Sequence, residues 1–82
     1  MIEKIPVSVY VLTMNNRRTI EQCLRSLSWA EELVVVDSFS QDGTYEICKQ
    51  YTDKLFQRKW TGHRDQYQYA ADLTTQDWIM FV

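Results

Sequence analysis

The sequence predicts an α/β chain: a parallel sheet of about four strands in the order 3-2-1-4, covered by helices in a three-layer, Rossmann-like arrangement. Three observations predict it. Leu33-Val34-Val35-Val36-Asp37 is an apolar run that ends abruptly in a carboxylate, and such a run suits a strand buried on both faces of a parallel sheet. Segments of strand character alternate with segments whose apolar residues recur at helical spacing, the pattern of right-handed β-α-β crossovers. No internal repeat, low-complexity stretch or linker interrupts that alternation.

The first strand is expected over residues 6–13, where Val7, Val9, Tyr10, Val11 and Leu12 are strand formers and Pro6 is tolerable at a strand's start. Asn15 and Asn16 break the run, and Asn16 is a good helix N-cap. The helix that follows carries Ile20, Cys23, Leu24 and Leu27 on one face. Residues 28–31 return the chain to the sheet, and residues 33–37 form the second strand. After the loop at 38–42, Gly43 opens a short helix with Thr44, Ile47, Cys48 and Tyr51 on one side. A short third strand is built around Leu55 and Phe56 within 53–57. Residues 63–73 form a third helix with Gln66, Ala70 and Leu73 aligned, and a turn at 74–76 leads into a fourth strand at 77–82 that reads as buried. The strand order reverses between strands one and four. Open α/β sheets bind ligands at such a point, outside the carboxyl ends of the strands. The crevice is therefore expected to face Thr13 and Asp37.

Length and charge narrow the field. Eighty-two residues allow one small domain at most. With 45% hydrophobic residues a core is available, but a sheet with two faces to cover leaves so short a chain leaning on further sequence or on a partner. The net charge of -2 leaves no basic footprint, so nucleic acid is not expected as a partner. Cys23 and Cys48 fall on apolar helix faces and read as buried free thiols of a reducing, cytoplasmic setting. Together with His63 they are too far apart in sequence for zinc-ligand spacing. No basic-then-apolar leader opens the chain and no apolar stretch is long enough to span a bilayer.

With these elements in place, the motifs resemble the opening of a family 2 glycosyltransferase with the GT-A fold. The first strand ends in a Thr-x-Asn turn, here Thr13-Met14-Asn15. A later strand ends in Val35-Val36-Asp37-Ser38, and the next loop has the form Ser40-Gln41-Asp42-Gly43-Thr44. The sequence around Trp60-Thr61-Gly62 is similar to that of lipopolysaccharide-core and related surface-polysaccharide glucosyltransferases. The resemblance covers essentially the whole chain, and the stretch from Val34 to Thr44 is its most specific part. Two departures stand out. The family's Gln-Lys/Arg-Asn segment reads Gln66-Tyr67-Gln68, so its basic residue is replaced at Tyr67, with Arg64 one helical turn earlier. The family's Asp-x-Asp metal motif is expected to begin where this chain stops, at Val82.

The resemblance implies that residues 1–82 are the amino-terminal part of a glycosyltransferase domain. That part supplies the donor site for a nucleotide sugar, expected to be a UDP-sugar, which is transferred to a saccharide or lipid-linked acceptor. The complete enzyme is expected to use a divalent cation, magnesium or manganese, which assists departure of the diphosphate, and to act in the cytoplasm at the inner face of the cytoplasmic membrane. No catalytic or metal-ligating residue is identified within these residues, so the segment alone is expected to be inactive. Its donor-binding candidates are Thr13, Asn15, Asp37, Arg64 and Gln66. Asp37 can accept hydrogen bonds from a base N–H or a ribose hydroxyl, and a charged acceptor strengthens them. Thr13 offers a hydroxyl to a pyrimidine edge, Asn15 combines a side-chain amide with turn duty, and Arg64 and Gln66 are expected near the diphosphate or sugar. Asp42 and Gly43 are expected to cap and shape the short helix. The tryptophans and tyrosines read as packing residues, and His63 as a surface residue. An inactive nucleotide-binding module of the same fold is the alternative. A phosphoacceptor signalling domain needs an acidic cluster where Thr13-Met14-Asn15-Asn16-Arg17 stands, and a Rossmann dehydrogenase needs glycines in that same turn. Exposed edges and an uncovered sheet face are expected to make the segment self-associate.

Overall fold

The chain rises through β1 (Ile5–Thr13), returns along α1 (Arg17–Ser26) and rises again as β2 (Ala30–Asp37). It continues through α2 (Thr44–Cys48), β3 (Leu55–Gln57), α3 (His63–Asp72) and β4 (Trp78–Phe81). The computed structural model describes residues 4–76 and 78–82. All three strand pairings are parallel and the order is β3-β2-β1-β4, as the sequence predicts. The register sets Val9 beside Leu33, Thr13 beside Asp37, Val36 beside Phe56 and Tyr10 beside Phe81.

Alternation along each strand divides the core in two. On one face Val9, Val11 and Val35 pack with Ile20, Leu24 and Leu27 of the first helical segment and with Cys48 of α2. On the other, Val34 and Val36 meet Ala70 of α3, flanked by half-buried Tyr10, Leu12 and Phe56. These faces make the three layers. Leu24 is fully buried, and truncating such a leucine to alanine costs about 2–5 kcal/mol. Cys23 and Cys48 are free thiols. Burial first, then the charge of Asp37 and the proximity of Cys23, pushes the Cys48 thiol up to about 12, so it sits in the core as an inert apolar group.

Several expectations are corrected. β2 starts at Ala30, earlier than expected, and so carries Glu32 into the sheet as a buried side chain. β3 is shorter than expected, and Asp77, expected in the fourth strand, lies outside the described residues. β4 is exposed at every position, because β1 flanks it on one side and, among the described residues, the α3 cover reaches it at Phe81 through Tyr67, and Trp78 is 73% exposed rather than packed. Asn16 precedes α1, but its side chain turns back to accept from the Thr13 hydroxyl (2.7 Å) and the Met14 amide (2.8 Å). The α1 amide of Arg17 donates instead to Asp42 (3.1 Å), which also accepts from the Thr44 amide (3.0 Å) at the start of α2. One carboxylate thus serves two helix openings. The hydrogen bond from the Thr44 hydroxyl leads the causes that hold Asp42 below the usual carboxylate range. Gly43, at φ 95°, makes the left-handed step between Asp42 and α2.

Candidate functional site at the carboxyl end of the sheet

Thr13 and Asp37 end adjacent strands, and the Ser38 amide donates to the Thr13 carbonyl (3.0 Å). Beyond them the two loops are knitted together. The Asn15 amide donates to the Ser40 hydroxyl (2.7 Å), and the Gln41 amide to the Asn15 side-chain oxygen (2.8 Å). The Asn16 amide donates to the Thr44 hydroxyl (2.9 Å). Asn15 adopts φ 52°, a conformation asparagine tolerates better than most residues.

A cavity of about 240 Å³ opens between this rim, the start of α3 and the end of β4. Leu12, Thr13 and Met14 of β1 and its following turn form one wall, and Phe81 of β4 another. Trp60, His63 and Tyr67 close the far side, and Asn16 and Ser38 reach it from the loops. The rings interlock: Trp60 meets His63 edge-on at 4.8 Å, His63 stacks on Tyr67 at 5.9 Å, and Tyr67 meets Phe81 edge-on at 4.3 Å. Among the described residues lining it there is no carboxylate, lysine or arginine. Such a site suits a flat, weakly charged ring held by stacking, with hydroxyls and an amide to read its edge. A more open, polar hollow of about 550 Å³ shares Asn16 and includes Asn15, Arg17 and Asp42.

The five sequence candidates are placed differently from one another. Thr13 lines the cavity, and Asn15 lines the neighbouring hollow while bridging the loops. Asp37 is fully buried and lies behind the cavity rather than in its wall. Its oxygens accept from the Ser40 amide (2.9 Å) and the Ser40 hydroxyl (2.5 Å), with Gln57 at 3.4 Å. It therefore shapes the loop that carries Ser38 and Ser40. Gln66 is also fully buried. Its amide donates to the Ser38 hydroxyl (3.0 Å) and its oxygen accepts from Arg58 (3.1 Å), so it fastens α3 to the same loop. Arg64 is exposed and is not in the cavity wall. The aromatic wall, Trp60, His63, Tyr67 and Phe81, was not among the expected site residues. Its signal was the helical spacing of His63 and Tyr67, four residues apart on one face, with Tyr67 standing at the departure from the family pattern.

Among the described residues no group of three His, Cys, Asp or Glu side chains could hold a metal ion. No helix among them is long and apolar enough to cross a membrane.

The model of the family described as "Glycosyl transferase family 2" matches residues 8–82. The chain is 32% identical over 83 aligned residues to "Lipopolysaccharide core biosynthesis glycosyltransferase LpsC" of Rhizobium meliloti, covering 95% of this chain and 31% of that protein. Proteins named as uncharacterized glycosyltransferases from Rickettsia felis and Rickettsia bellii are each 32% identical, covering 90% of this chain and 26% of theirs. The chain thus spans between a quarter and a third of the length of these relatives. No solved structure matches it.

Proposed function

Because the chain belongs to glycosyl transferase family 2, we propose that it forms the donor-nucleotide part of a glycosyltransferase domain and that the nucleoside of a UDP-sugar occupies the aromatic cavity. The observation that carries this reading is the cavity's position. It lies outside the carboxyl ends of the strands, where the order turns from β1 to β4, which is where an open parallel sheet offers ligands a crevice. Its volume suits a base with part of its ribose, and its rings supply stacking surfaces. The Thr13 and Ser38 hydroxyls and the Asn16 amide supply donors and acceptors for a pyrimidine edge. In this reading Asp37 and Gln66 are positioning residues: each is hydrogen-bonded to a serine of the rim. Asn15 and the exposed Arg64 lie outside the cavity wall, Asn15 holding the neighbouring loop.

The wider reaction belongs to the same proposal. A sugar is transferred to a saccharide or lipid-linked acceptor, and the name of the Rhizobium relative favours a lipopolysaccharide core as that acceptor. The work is placed in the cytoplasm, at the inner face of the membrane. The divalent cation implied by the resemblance finds no ligand set among the described residues. What these residues do is bind and orient the donor. Calorimetric titration of the 82-residue chain with UDP is expected to show binding that Trp60→Ala and Tyr67→Ala each weaken by about 5- to 100-fold, as loss of a stacking ring does. Undiminished affinity in both variants would overturn the assignment. So would NMR perturbations confined to the hollow between α2 and β3 at Tyr45, Lys49 and Thr52.

A further inference from the structure

Glu32 is a buried carboxylate that the crevice chemistry does not use. It lies towards the amino end of β2, in register with Ser8 of β1. One of its oxygens accepts from the Ser8 hydroxyl (2.6 Å) and the Thr75 amide (2.7 Å). The other accepts from the Thr75 hydroxyl (3.0 Å) and pairs with the Lys54 ammonium. Ser8 is shared in turn, because its oxygen accepts from the Gln76 amide (3.1 Å). One side chain thereby gathers β1, the approach to β3 and the turn that launches β4.

That turn is where position matters. A strand with one buried face has its register fixed by alternation, since a one-residue slip would expose its apolar set. β4 has no buried residue, so alternation gives it no such lock. A two-residue slip would keep every side chain on its own face while moving the strand by about 7 Å along β1. At the far end of β4, Phe81 forms part of the cavity wall and packs on Tyr67 and Tyr10.

We infer that Glu32 is a positioning residue for the crevice: through Thr75 and Ser8 it fixes the register of β4 on β1 and so holds Phe81 in the cavity wall at the opposite end of the sheet. Only the functional consequence rests on the reading of that cavity as a nucleoside site. A buried carboxylate costs several kcal/mol unless it is paired, and three of the four donors converging on Glu32, from Ser8 and Thr75, belong to β1 and the turn before β4, the elements whose relative placement it controls.

The test is amide hydrogen exchange and ring–ring NOEs in the 82-residue chain, with UDP as the probe of the cavity. In Glu32→Gln, exchange is expected to accelerate at least tenfold in β4 and at Thr75 and Gln76. Amides of α1 and of the β1–β2 pairing keep their protection. The Phe81–Tyr67 NOEs weaken, and UDP affinity falls several-fold. Ser8→Ala keeps the carboxylate with its Thr75 and Lys54 partners, and it must show the same β4-confined pattern in milder form. It decides the matter if Glu32→Gln does not fold. Uniform acceleration across the whole sheet with intact NOEs would assign Glu32 a merely stabilising role and overturn the inference, as would unchanged β4 exchange. If the unaltered chain binds no UDP, the nucleoside reading fails, while exchange and NOEs still decide the role of Glu32.

Discussion

Asp37 carries a full carboxylate and exposes none of it. Its two bonds to Ser40 close a tight loop, and within that loop Phe39 adopts φ 57° while the residue stays 54% exposed. A left-handed backbone costs a non-glycine residue about 1–2 kcal/mol, and so exposed a residue recovers little of it by burial. Phe39→Gly is therefore expected to raise the urea midpoint, by an amount corresponding to about 0.5–1 kcal/mol of unfolding free energy after the extra entropy of an unfolded glycine is set against the relief. Asp37→Ala should act in the opposite direction and lose about 1–3 kcal/mol, because the Ser40 amide loses its acceptor. A Phe39→Gly variant less stable than the parent would show that the ring contributes packing. Apolar Leu33 to Val36 followed by a carboxylate marked Asp37 as a strand end in the sequence. That its charge turns inward to Ser40 was not legible, because this depends on a loop conformation that residue types alone do not dictate. Gln66 was hidden for a related reason: its amide was visible, but its partners Ser38 and Arg58 come from elsewhere in the chain.

At the scale of elements, periodicity carried most of the fold. Ile20, Leu24 and Leu27 marked one helix face, and the alternating strand faces account for both halves of the core. The start of β2 was obscured because Glu31-Glu32 looks like solvent-facing sequence. The structure buries Glu32 only because Ser8, Lys54 and Thr75 meet it, and those contacts join distant segments. The junction makes a pH prediction. Burial pulls the Glu32 carboxyl upwards, but the hydrogen bonds from Lys54, Ser8 and Thr75 outweigh it and hold it down at about 2, against 4.5 for a free glutamate. Between these values the unfolded chain binds a proton that the folded chain does not. The stabilisation is complete above pH 4.5 and is lost as pH falls from 4.5 through about 2. Urea unfolding across pH 2–6 should show this slope, and Glu32→Gln should remove its share of it. Asp42, also held low, contributes a slope of the same sign in both proteins, so the difference between them isolates Glu32. Identical slopes would mean that the junction does not depend on the charge.

For the molecule as a whole, coverage is uneven. The α1–α2 side packs over β1 and β2, α3 packs over the same strands from the other side, and β4 lies at the sheet edge, met by α3 where Tyr67 packs on Phe81. Trp78 and Met80 lie beside Val7 and Val9 and extend that apolar face past the edge of the helical cover. The apolarity of Trp78-Ile79-Met80-Phe81-Val82 identified a strand in the sequence, but burial depends on neighbours, which no local pattern specifies. An edge strand is ordinarily kept from pairing by a charge, a proline or a bulge, and this run contains neither charge nor proline. Strand-to-strand association of two copies, adding their outer backbone groups to one continuous sheet, is the expected result. Sedimentation velocity should show weight-average mass rising with concentration. Met80→Lys places a charge on the face away from the cavity and should return the chain to monomer while leaving UDP affinity unchanged. A parent chain that stays monomeric across the same concentrations would show that the exposed edge is too twisted, or too short at four residues, to template a partner.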